Sequence, residues 1–104
     1  MILSTTDAVS GRTIVETIGL VRGSSVRSAH VGRDVLAKLK NLVGGEVTEY
    51  TKLLAESREQ ALDRMVEEAR ARGADAIVGL RFMSSDIGDD AAEMLAYGTA
   101  VRLG

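Results

Sequence analysis

A single change of periodicity between Glu46 and Phe82 constrains the fold of this chain more than any other feature. Val47, Tyr50, Leu54, Ser57, Ala61, Met65 and Ala69 recur at three- and four-residue intervals, which lays an apolar stripe along a long helix. Leu53, Leu62 and Val66 widen it. Glu46 at its start and Arg70 and Arg72 at its end complement the helix dipole, and Gly73 supplies the left-handed stop. Arg64, Glu68 and Arg72 follow one another a turn apart and are expected to pair along the polar side. The chain then runs at once into Ala76-Ile77-Val78-Gly79-Leu80-Arg81-Phe82, which reads as a strand. A helix lying on a sheet is the consequence.

The remaining elements follow from similar signals. Met1 to Thr5 is expected to be a first strand, ended by the turn-forming Asp7 to Gly11. The β-branched run Thr13 to Val21 reads as a longer strand with a bend or bulge at Gly19. Past the polar segment Gly23 to Ser28, the spacing of Val35, Leu36, Leu39, Leu42 and Val43 predicts a short helix ended by Gly44-Gly45. Ser84 to Ala92 reads as a polar loop, and Met94 to Arg102 as the return strand of an antiparallel hairpin. The expected fold is α/β of the α+β type: one sheet in β-β-α-α-β-β order, with a short and a long helix on one face, forming a single domain over residues 1–104.

Alternation assigns Ala76, Val78, Leu80 and Phe82 to one face of the third strand and Ile77, Gly79, Arg81 and Met83 to the other. In the last strand Leu95, Tyr97, Thr99, Val101 and Leu103 oppose Met94, Ala96, Gly98 and Ala100. Both sheet faces are therefore apolar, while the helices cover one. The uncovered face predicts burial against another subunit.

Composition excludes several functions. The chain has no cysteine, so disulfides and thiolate metal sites are ruled out. Its 13 basic and 15 acidic residues are interspersed and give a formal charge of −2, without the basic face that nucleic acid requires. No apolar run reaches membrane-spanning length, and the opening residues lack the pattern of a signal peptide, so a cytoplasmic location is expected. Aromatics are 3% of residues, which leaves an aliphatic core filled in part by Met65, Met83 and Met94.

Gly44-Gly45-Glu46, Tyr50-Thr51, Arg58, Ala61 and Met65, Gly73 to Gly79 and Tyr97-Gly98-Thr99-Ala100-Val101 together resemble the YbjQ-like family of small proteins. Thr5-Thr6 and the Val26 to Asp34 region fit as well, so the likeness covers essentially the whole chain. The resemblance implies a dodecin-subunit-like fold and a ring-shaped homopentamer in which short extra strands help subunits join. It carries the family description "putative heavy-metal-binding" and implies no established enzymatic activity.

The donor set suits that description poorly, because soft and borderline metals prefer thiolate or imidazole, and His30 is the one imidazole in the chain. His30 is a metal-ligand candidate only where a ring brings several copies together; its bland role is a polar residue at a helix entry. Asp86, Asp89 and Asp90, with Glu93, form the densest acidic cluster. They are candidates for a hard cation, although their spacing lacks the alternation of a calcium loop and a solvated hairpin loop explains them more simply. Gly44-Gly45-Glu46 before a helix could offer N–H groups to an anion, but Glu46 would repel it and a tight turn accounts for the glycines. Arg58 is a candidate anion clamp, and Arg81, interrupting an apolar strand, is expected in an intersubunit ion pair. Tyr50 and Tyr97 complete the ligand-binding or interface candidates, with Gly98 suggesting close backbone packing beside Tyr97.

No nucleophile, base and orienting group form a visible set, so no catalytic residue is assigned. No cofactor is identified, a metal ion being the one candidate. The expected function is a non-catalytic, ring-forming homo-oligomer that binds a small ligand or ion at subunit boundaries and takes neither nucleic acid nor membrane as a partner. The alternative is a small hydrolase or isomerase with an interfacial site using His30, Glu46 or Asp34, with Arg58 as an anion clamp.

Overall fold

The computed structural model describes residues 1–28, 48–86 and 91–104. Its elements are β1 (Ile2–Leu3), β2 (Ile14–Ser28), α1 (Thr48–Ala71), β3 (Ala76–Asp86) and β4 (Ala91–Leu103). They build a mixed four-stranded sheet in the order β1-β3-β4-β2, with β1 parallel to β3 and both β2 and β3 antiparallel to β4. Among the described residues this is an α+β domain, with α1 crossing from β2 to β3 over one face. The short helix expected at 35–43 lies outside the described residues.

The stripe on α1 does what its spacing requires. Ala61, Met65 and Ala69 are fully buried against Val21, Ile77, Leu80, Ala96 and Ala100. The helix ends as Gly73 predicts: its φ is +79°, its N–H bonds the Arg70 carbonyl at 3.0 Å, and the Ala74 N–H reaches the Ala69 carbonyl at 3.0 Å. Two orphan carbonyls are thereby satisfied. None of the described helices is long and apolar enough to cross a membrane.

Several boundaries differ from expectation for identifiable reasons. β2 runs on through Gly23 to Ser28, a segment whose glycine and serines look like a loop; small side chains are instead what the close approach of α1 demands. β3 and β4 extend to Asp86 and from Ala91, consuming most of the expected loop of 84–92. The first strand is reduced to Ile2–Leu3, although backbone bonds from Leu80 to Ser4 and from Gly79 to Thr6 hold the following residues to β3.

The alternation expected for β3 also fails midway. Between Val78 and Arg81 the register with β4 shifts at Gly79, which has φ +61°. Leu80 is thereby moved to the helix face with Ile77, while Ala76 and Val78 belong to a second core with Val101, covered by Val9, Ile14 and Leu103. The bulge expected at Gly19 is present, with φ +136° and a register shift against β4.

Arg64, Glu68 and Arg72 are spent differently from the expected pairs along the helix. Arg64 donates to the Ser24 carbonyl, Glu68 accepts the Arg22 N–H at 3.1 Å, and Arg72 donates to the carbonyls of Leu20 at 2.8 Å and Ile18 at 3.2 Å. This row covers the outer edge of β2, an edge strand that would otherwise present unpaired backbone groups.

Candidate functional site

The helix-free face of the sheet can be read row by row from the strand register. Val78, Thr99 and Leu20 form one row, Arg81, Tyr97 and Arg22 the next, and Met83, Leu95 and Ser24 the one after. Residues directly opposite one another share a face, so Tyr97 on the central strand is flanked by an arginine on each side. With strands about 4.8 Å apart, the two arginine Cα atoms are separated by roughly 10 Å. The bulge at Gly79 makes this row possible, since it is what places Arg81 opposite Tyr97.

Arg81 is exposed and fixed in place. Its Nη1 donates to the Thr5 carbonyl at 2.7 Å and to its neighbour Leu80 at 2.8 Å, so the N-terminal segment clamps one nitrogen of the guanidinium. Among the described residues neither Arg22 nor Arg81 forms an ion pair; the recorded pair joins Arg102 to Glu16 at 3.4 Å on the surface. Within one subunit the partners of Arg81 are backbone carbonyls. Asp7 comes close to Gly79, and Glu68 holds the Arg22 backbone from the helix side. Glu93 shares the face but lies two rows beyond Tyr97, roughly 13 Å along the strand.

The surroundings are apolar and open. Leu20 is 61% exposed, Met83 52% and Val26 53%, while Leu95 and Tyr97 are half-buried. The row offers positive charge and N–H donors beside a phenol: a binding arrangement rather than a bond-breaking one. The buried hydroxyls lie on the other face, where Ser57 donates to Ser25 at 3.3 Å and Ser25 to the Gln60 side-chain carbonyl at 2.7 Å. That chain ends on an amide oxygen, which is no base.

Of the sequence candidates, the structure brings Arg81 and Tyr97 together. Arg58 is exposed on α1, which packs against the opposite face of the sheet. His30, Glu46, Asp89 and Asp90 lie outside the described residues, as do the side chains of Tyr50 and Asp86. Sequence reasoning missed Arg22, because its partnership with Tyr97 depends on a register set between remote segments.

A family model described as "Putative heavy-metal-binding" matches residues 1–104. A UPF0145 protein of Halorubrum lacusprofundi is 55% identical over 103 residues, covering 99% of both chains. Another from Fervidobacterium nodosum is 58% identical over 103 residues, covering 99% of this chain and 95% of the relative. A crystal structure of a DUF74-family protein from Pediococcus pentosaceus superposes with a TM-score of 0.65 at 17% identity, covering 100% of this chain and 98% of that one, which supports the fold alone. By full-length match and by identity, the chain belongs to the YbjQ-like UPF0145 family.

Proposed function

We propose that this protein is a non-catalytic subunit of a cytoplasmic homo-oligomeric ring, pentameric as the family resemblance implies, that binds a small ligand or ion where subunits meet. The observation that carries the reading is the uncovered half of the second sheet face, where Leu20, Val26 and Met83 are exposed together. The elongation of the chain supports it: the radius of gyration is 17.0 Å, against about 13 Å for a compact domain of this length. A monomer of these dimensions leaves too much apolar surface in water.

Light scattering at micromolar concentration is expected to give a particle of about 55 kDa, five times the 11.0 kDa subunit. The double substitution Leu20→Glu, Met83→Glu is expected to shift it to the subunit mass while preserving the far-ultraviolet spectrum, since both side chains lie outside the cores. A wild-type protein that remains monomeric and well folded would overturn the reading.

The metal in the family description does not fit the donors of a single subunit. Cysteine is absent and His30 is the sole imidazole, and among the described residues no three His, Asp or Glu side chains cluster as a site. Titration calorimetry on metal-stripped protein is therefore expected to show only weak Zn²⁺ binding, indifferent to His30→Ala. Submicromolar binding abolished by that substitution would instead establish a site shared among subunits.

A further inference from the structure

We propose that the Arg22–Tyr97–Arg81 row is a binding site for a small organic oxyanion, a phosphate monoester or a carboxylate of modest size whose charged head lies over Tyr97 between the two arginines. The inference rests on the ligand-binding reading above and names its chemical class. Three observations converge on it. The register sets two cations on the same face with one aromatic residue between them. Among the described residues neither cation has an ion-pair partner within 4.0 Å. Arg81 is held through Nη1 by the Thr5 and Leu80 carbonyls, which fixes the guanidinium and leaves its Nε and Nη2 side for an incoming acceptor.

That side is the geometry a carboxylate or phosphate matches with two parallel hydrogen bonds. Arg22 stands on the other strand, and Arg81 at least is already organised by the fold before binding. The rows on either side supply Leu20, Met83 and Leu95 for the ligand's apolar part.

Arg22→Ala is the clean variant, because the interaction recorded for Arg22 uses its backbone N–H, which survives the substitution. Calorimetry of the full-length protein with phenyl phosphate, benzoate and inorganic phosphate at low salt is expected to give a dissociation constant of ~1 mM or tighter for at least one aryl anion. Inorganic phosphate should bind more weakly, and raised salt should weaken all three. Arg22→Ala is expected to lose at least about tenfold in affinity with no change in particle mass, and Arg22→Lys to recover part of it. Preference for phenyl phosphate over benzoate, or the reverse, assigns the head group. Absence of binding at ~10 mM, or affinity indifferent to Arg22→Ala, overturns the proposal and leaves the ring untouched. A fall in mass on Arg22→Ala, without any anion binding by the wild type, also overturns it and makes the guanidinium an intersubunit contact. A monomer that binds the aryl anion through Arg22 would keep the site and overturn the ring.

Discussion

Met65→Asp is expected to abolish cooperative folding. Met65 is fully buried at the centre of the helix–sheet core, between Ala61 and Ala69 along α1 and against Val21, Ile77 and Leu80 across the interface. An aspartate there forfeits the packing of a long side chain, on the order of 3 kcal/mol. It also places a carboxyl among aliphatic groups, where staying ionised or taking up a proton each costs several kcal/mol more. The combined loss approaches the ~5–15 kcal/mol that holds a domain together. Circular dichroism on heating should show no sharp transition. Val78→Asp should act similarly through the second core, where Val78 packs with Ala76 and Val101. Met65→Leu conserves volume and should cost less than about 1.5 kcal/mol. A Met65→Asp protein melting within a few degrees of Met65→Leu would show that α1 is not seated as described.

The helix and its stop were legible because their causes are local. Six positions of α1 repeat at helical spacing, and Gly73 ends the repeat by a backbone requirement that few other residues meet as easily. The hairpin was legible for the same reason. What escaped was set by tertiary contact. Gly23, Ser24 and Ser25 carry turn-like propensities, yet they form strand because the helix lies above Gly23 and Ser25 and leaves room there only for small side chains. The bulge at Gly79 reverses the faces of β3 after Val78, and no local pattern distinguishes a glycine that bulges from one that merely continues a strand. Arg64, Glu68 and Arg72 looked like an ion-paired helix surface. The unpaired edge of β2 claimed them instead, because backbone groups at an edge have fewer alternatives than charged side chains in water.

The same contact makes Gly23→Ala the most damaging single-methyl change expected among the described residues. A Cβ at Gly23 would fall 2.3 Å from the Ala61 carbonyl oxygen and 2.3 Å from the Met65 nitrogen, both backbone atoms of α1, and 2.8 Å from the Arg64 Cβ. No rotamer change relieves a clash with backbone, so the helix must lift away from β2. Lifting it stretches the Glu68 bond to the Arg22 N–H and the Arg72 bonds to Leu20 and Ile18, and it separates Ser57 from Ser25. The expected cost is on the order of 3 kcal/mol or more, mixing overpacking with lost polar partners. Gly11 gives the contrast: its added Cβ would meet nothing within 4 Å, so only the strain of φ +74° remains, about 1 kcal/mol. Trimming the neighbour should not help, because Ala61→Gly leaves the offending carbonyl where it was. Chemical denaturation of Gly23→Ala, Gly11→Ala and the Gly23→Ala, Ala61→Gly pair separates these terms. Restoration of stability by Ala61→Gly would place the clash on a side chain and require a looser seat for the helix over β2.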